Sequence, residues 1–194
     1  MGIVHRADAN RRTWLEMRQA EERDLGHSRQ PYVLVVGGGQ GGIALGARLR
    51  QLGVPAIIVE KNARPGDSWR NRYRTLVLHD PVWYDHMPYL PFPDNWPIFS
   101  PKDKIGDWLE MYTKVMELNY WSSTECKNAK YDEKKKEWTV IVSRGGKKVV
   151  LRPKQLVLAT GMSSVPNVPD FPGAKTFKGT QHHSSKHPGG EAYK

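Results

Sequence analysis

Cysteine is nearly missing from this sequence. One residue in 194, Cys126, excludes a disulfide framework within the chain and fits a reducing compartment. Long apolar runs are missing too. None approaches the roughly 18–20 residues that a spanning helix needs. The opening "MGIVHRADANRRTW" has no apolar core of a secretory leader. Gly2 follows Met1, but Arg6 stands where a myristoylation signal wants Ser or Thr. A cytoplasmic protein with no membrane span is expected. Acid is in deficit: 20 Asp and Glu against 30 Lys and Arg leave a net charge of +10. The basic residues are dispersed, and only Arg144, Lys147, Lys148, Arg152 and Lys154 gather, around a Gly-Gly turn. No aromatics alternate with them for base stacking, so nucleic acid is not the expected partner. A positive field also suits a protein that handles phosphate-bearing cofactors. His182, His183 and His187 lie in a Gly/Pro-bounded stretch with no cysteine or carboxylate pair, so no metal site is expected.

Residues 10–24, with Trp14, Leu15 and Met17 among charges, predict a short surface helix and then a linker. Tyr32–Val36 reads as a strand, Gly41–Leu52 as a helix closed by Gly53, and Ala56–Glu60 as a second strand: a βαβ unit. Residues 80–101 are dense in Pro and aromatics, which suits neither a helix nor a strand interior. Their aromatics require burial or a ligand. From Ser100 as N-cap and Pro101 at the first position, the next segment reads as a helix burying Trp108, Leu109, Met111, Tyr112 and Val115. A β-meander follows, with "RGGK" as a hairpin turn and "YDEKKKEW" as a solvated tip. "QLVLATG" reads as a short buried strand, and the rest as loop. No internal repeat is present.

The glycine knot "GGGQGG" carries the chemistry. Gly37, Gly39 and Gly42 match G-x-G-x-x-G between a strand and a helix. In that pattern the first glycine makes a tight turn and the second lets backbone approach a pyrophosphate. The third brings helix and strand together, and the helix N-terminus faces the phosphates. Glu60 ends the second strand 18 residues past Gly42, where a carboxylate accepts from ribose hydroxyls and repels a 2′-phosphate. NADP is therefore the wrong guest for this loop; FAD and NAD both remain.

Further motifs turn the choice to FAD. Gly66, Trp69, Arg70, Leu76, Leu78, His79 and Pro81 in "GDSWRNRYRTLVLHDP", then "YLPFPDNWPIFSPKDKIGDWLEMY", "LVLATG" and "PNVPDFPG", occur in this order. Over about residues 31–193 the chain resembles the flavin-dependent monooxygenases that use FAD and NADPH. That family includes the flavin-containing monooxygenases, the YUCCA enzymes and the Baeyer–Villiger monooxygenases. The resemblance implies an α/β fold, a Rossmann-like FAD-binding domain with a parallel sheet and a β-meander, incomplete at its C-terminal side. The expected organisation is an N-terminal helix and linker over 1–30, the first segment of the FAD domain over 31–165, and a linker toward an NADPH-binding domain over 166–194.

The cofactor set implied is Gly37, Gly39, Gln40, Gly41, Gly42, Glu60, Lys61, Ser68, Trp69, Arg70, His79, Cys126, Ala159, Thr160 and Gly161. Trp69 would wall off the flavin ring, and Arg70 would donate to cofactor or backbone oxygen; a core Trp and a surface Arg are the structural alternatives. His79 departs from the Asn of the mammalian-type branch and is the candidate catalytic acid–base residue. Cys126 would contact adenine through its backbone, with a thiol that only packs. Phe177, Gly179 and His183 fit the F-x-G-x-x-x-H fingerprint, with His187 in place of its aromatic.

The implied activity is oxygenation of a small organic substrate with NADPH and O2. A dimethylaniline-type amine and indole-3-pyruvate are both candidates. A second glycine loop for NADPH is absent before Lys194, so an N-terminal piece, inactive alone, is expected. A FAD-binding module without turnover is the alternative. A disulfide reductase would need a second cysteine, and an NAD dehydrogenase leaves "SWRNRYRTLVLHDP" unexplained.

Overall fold

The computed structural model describes residues 12–163 and 165–194. The readings made at Gly2, at Arg6 and on residues 10 and 11 fall outside them. Strands β1 (Val33–Val36) and β2 (Ala56–Val59) flank helix α2 (Gln40–Gln51), as the βαβ reading expects. Both strands are almost purely β-branched and aliphatic, the composition of strands covered on both faces. Leu34, Val35 and Ile57 are fully buried. Gly46 of α2 lets the helix lie on Ile58, whose Cδ1 would be 2.5 Å from any Cβ there. Gly53, at φ +67°, takes the chain out of the helix.

The parallel sheet has the order β3–β2–β1–β7, with β3 at Tyr120–Trp121 and β7 at Gln155–Leu158. The chain leaves β1 toward β2 on one side, and β7 returns on the other. β1 is therefore the switch point, and its C-terminal end opens the crevice where ligands bind in such sheets. Strands β4 (Thr124–Asp132), β5 (Glu137–Arg144) and β6 (Lys147–Leu151) form a separate antiparallel sheet. Gly145 and Gly146 both have positive φ, +55° and +76°, as a two-residue hairpin turn requires. At the other tip, Asp132 Oδ1 accepts from the N–H groups of Lys134 and Lys135.

The core has two parts. One lies between the parallel sheet, α2 and α4 (Lys102–Val115) and includes Ile43, Ile105, Leu109 and Tyr112. The other lies between the two sheets and includes Leu34, Trp121, Val140, Val142 and Leu151. The Pro-rich segment wraps the first. Phe92 is buried against Trp96 and Trp108 at ring separations of 5.0 and 5.3 Å. Tyr112 donates to the Pro88 carbonyl and Arg48 to the Tyr89 hydroxyl, which fastens the wrap to α4 and α2. Trp83, Tyr84, Tyr89 and Phe99 stay exposed.

Three expectations change. Helix α4 starts at Lys102 with Pro101 as N-cap, and Ser100 is buried with its hydroxyl donating to the Pro97 carbonyl. Val115 ends α4 and is exposed, because the last turn has passed the core; Ile105 and Thr113 take burial instead. β7 lies at the sheet's edge, so Leu158 is 71% exposed. Among the described residues, no helix is long and apolar enough to cross a membrane.

Candidate cofactor site

The loop between β1 and α2 is built by close contacts that only glycine permits. Gly37 has φ +109°, and a Cβ there would meet the Ala159 carbonyl oxygen at 2.3 Å. A Cβ on Gly42 would meet the Gly37 oxygen at 2.0 Å. β1, α2 and the exit of β7 are thereby pressed together, which brings Ala159 to the loop and leaves Thr160 and Gly161 exposed just past it. Gly39 is the N-cap of α2; no side chain caps the helix and no acid stands in its first turn. The first N–H groups of α2 thus lack side-chain acceptors and carry the positive end of a 12-residue helix dipole. Around Gly41 there is open space, and Ser68 faces Gly39 with its Oγ 3.6 Å from where a Cβ would lie.

Glu60 leaves β2 beside this loop, only 7% exposed. Its backbone is fixed twice: its N–H donates to the Trp121 carbonyl, and its carbonyl accepts from Thr124 N–H. Its carboxylate accepts from Gly38 N–H at 2.7 Å through one oxygen and from Asn62 N–H at 2.9 Å through the other. Each oxygen keeps a further lone pair for a hydroxyl donor. Lys61 is exposed next to it.

Helix α3 (Asp67–Arg70) presents Ser68 and Trp69. It sits on α4 because Gly66, at φ +87°, approaches the Gly106 carbonyl, which would be 2.1 Å from a Cβ. Trp69 is half-buried against the first core. Arg70 is fully engaged: it donates to Pro65 O, Asp67, Asp107 and Glu110 at 2.8–3.1 Å. Lys102 is buried beneath α3 and donates to the Arg70 carbonyl at 2.7 Å. His79 is exposed after the buried Leu78. Cys126 lies in β4 at a bulge, two residues past Thr124, half-buried. Burial pushes its thiol pKa up, so it stays protonated at neutral pH.

The structure thus gathers Gly37–Gly42, Glu60, Ser68 and Ala159 around the end of β1. Gly38, Tyr120, Asn62 and Lys102 were missed from sequence. Only the extra glycine of "GGGQGG" was a visible signal. A cleft of about 470 Å³ lies at the opposite end of the sheet, lined by Glu21, Arg29, Arg50 and Val54. It is remote from the glycine loop.

A family model described as pyridine nucleotide-disulphide oxidoreductase matches residues 34–193. Indole-3-pyruvate monooxygenase YUCCA1 of Oryza sativa subsp. japonica is 35% identical over 164 residues, covering 84% of this chain and 40% of its own length. Among solved structures, the flavin-containing monooxygenase from Stenotrophomonas maltophilia superposes with a TM-score of 0.72 at 24% identity, over 81% of this chain and 46% of that one. OTEMO in complex with FAD and NADP superposes with 0.65 at 23% identity, over 81% and 31%. These two likenesses show the fold. The chain spans about 40% of the length of the curated relatives it matches. The 194 residues hold one cysteine, so no disulphide-forming pair exists within them.

Proposed function

Because this chain belongs to the pyridine nucleotide-disulphide oxidoreductase family, on its flavin monooxygenase side, we propose that it supplies the FAD-binding part of a monooxygenase using NADPH and O2 on a small organic substrate. The observation that carries this reading is the uncapped N-terminus of α2 at the switch point, with the Glu60 carboxylate one strand away. That donor set fits a dinucleotide: backbone N–H groups for the pyrophosphate and a carboxylate for ribose hydroxyls, whose charge opposes a 2′-phosphate. Bound flavin would supply the redox chemistry.

In this reading residues 31–165 hold FAD, and 166–194 lead toward the NADPH-binding part. Gly39, Gln40 and Gly41 donate through backbone N–H to the pyrophosphate, and Glu60 accepts from the adenosine ribose. Trp69 closes one side of the flavin ring against water. Arg70 acts by holding α3 on α4 through its four partners rather than by reaching the cofactor. His79 is the acid–base residue at the reacting face, and Cys126 lies near the adenine. Indole-3-pyruvate, a 2-oxo acid, is the substrate class that the YUCCA similarity favours.

Purified protein titrated with FAD tests the reading. Quenching of flavin fluorescence, with a rise in melting temperature, is expected; NADP should produce neither at this loop. Failure to bind FAD while ADP-ribose or NAD binds would replace the flavin reading. A FAD-holding module without turnover is the second reading. NADPH-dependent oxygen uptake by these 194 residues would rule it out.

A further inference from the structure

Tyr120 stands behind the glycine loop. It is the first residue of β3, paired to Ile58 of β2, so the strand fixes where its ring points. Its hydroxyl donates to the Gly38 carbonyl at 2.8 Å. The ring edge occupies the volume that a side chain at 38 would need: a Cβ on Gly38 would lie 2.1 Å from the hydroxyl and 2.4 Å from Cζ. Gly38 has no positive φ to explain its being glycine, and Tyr120 supplies the reason.

The consequence lies in the peptide planes. A trans peptide holds its C=O and N–H on opposite sides. With the Gly38 oxygen drawn to Tyr120, the N–H of Gly39 is turned to the side away from Tyr120. The preceding plane is held in the same manner. Gly38 N–H points to Glu60, and the Gly37 oxygen faces Gly42. Two successive peptides are therefore oriented before any ligand arrives, one by Glu60 and one by Tyr120. An anion-binding loop gains affinity when its donors need no reorganisation on binding.

We propose that Tyr120 is a positioning residue for the dinucleotide site: it aims the Gly39 N–H at the ligand's pyrophosphate through its hydrogen bond to the Gly38 carbonyl. This rests on the reading of the loop as a FAD site. Burial, with the nearby Glu60 and Asp67 charges, raises the pKa of the phenol, so the hydroxyl keeps its proton throughout the physiological range and serves only as a donor.

Tyr120→Phe keeps the ring and removes the donor. Binding of FAD, ADP and adenosine is measured for the native protein, for Tyr120→Phe and for Glu60→Gln. Tyr120→Phe is expected to weaken FAD and ADP alike, by roughly fivefold, the loss of about one hydrogen bond's worth of orientation, and to leave adenosine unchanged. Glu60→Gln should weaken all three. Equal losses on adenosine and ADP in Tyr120→Phe would mean general loosening of the loop and would overturn the proposal; so would unchanged binding of ADP. The ligand-free protein gives an independent arm. The Gly39 amide nitrogen resonance should move in Tyr120→Phe, since the preceding carbonyl loses its donor; an unmoved resonance also overturns the assignment. If native protein binds neither FAD nor ADP, the cofactor reading fails, and this resonance still decides whether Tyr120 orients the peptide.

Discussion

Gly37 and Gly41 stand four residues apart in the same loop, and physics treats them in opposite ways. Gly37 has φ +109° and meets backbone, the Ala159 carbonyl, which cannot swing aside as a side chain would. Gly37→Ala should cost on the order of 2 kcal/mol of stability and at least about tenfold in FAD affinity. Gly41 lies in the first turn of α2 with open space around it. Gly41→Ala should leave stability unchanged or raise it by up to about 1 kcal/mol, through helix propensity alone. Denaturant melts of the two variants check both; equal destabilisation would mean that the loop is not packed as described. The sequence already distinguished these roles, because the motif demands its first and third glycines and not the one at 41. It did not reveal why residue 38 is also glycine. That reason is a tyrosine 82 positions away, a contact that no local pattern encodes.

Among elements, α1 (Trp14–Asp24) has no buried residue and is attached by polar contacts. Arg50 of α2 donates to both Glu21 oxygens at 3.0 Å and to Glu117 at 3.1 Å. Asn119 also donates to Glu21, and Trp14 Nε1 to Glu117. Burial pushes the Glu21 pKa upward, but hydrogen bonds from Asn119 and Arg50 outweigh it and hold the pKa below its ordinary 4.5. A carboxylate depressed in the folded state stabilises it above that ordinary value, and the contribution is lost as pH falls through the lowered one. Amide exchange in α1, corrected for its intrinsic rate, should therefore rise below about pH 4.5 while β1 and β2 stay protected. Arg50→Ala should produce the same release at neutral pH. Loss of α1 protection only with global unfolding would count against this attachment. The surface character of α1 was legible from its mixed charges; the attachment was not, since its partners come from α2 and from the turn after α4. Similarly, the periodicity of α4 gave its core face but not its end, so Val115 was misjudged. β3, two residues long, left no pattern to read.

Over the whole molecule the charge is unevenly placed. Residues 124–154, the antiparallel sheet and its turns, hold ten basic residues against four acidic ones, out of a net +10 for the chain. The field of such a molecule favours arrival of an anionic dinucleotide, and salt screens it over about 8 Å at 0.15 M. The association rate of FAD should fall several-fold between low salt and 0.15 M, while that of uncharged riboflavin should not. Stopped-flow quenching measures both, and a salt-independent FAD rate would show that the field plays no part. At this scale the α/β class, the βαβ unit and the meander were legible, because hydrophobic period and glycine placement act locally. The edge position of β7 and the half-exposed aromatic wrap were not, because both depend on which neighbours the strand order supplies.

The Gly38–Tyr120 contact ties two distant positions into one unit of inheritance. Neither can be exchanged freely while the other is kept: a methyl group at 38 collides with the phenol, and loss of the phenol leaves a hole behind the loop. Divergence at these sites should be paired. A relative with alanine after its first loop glycine should carry a smaller or differently turned residue at the start of β3, and the single substitutions that link the two states should each be less fit than either.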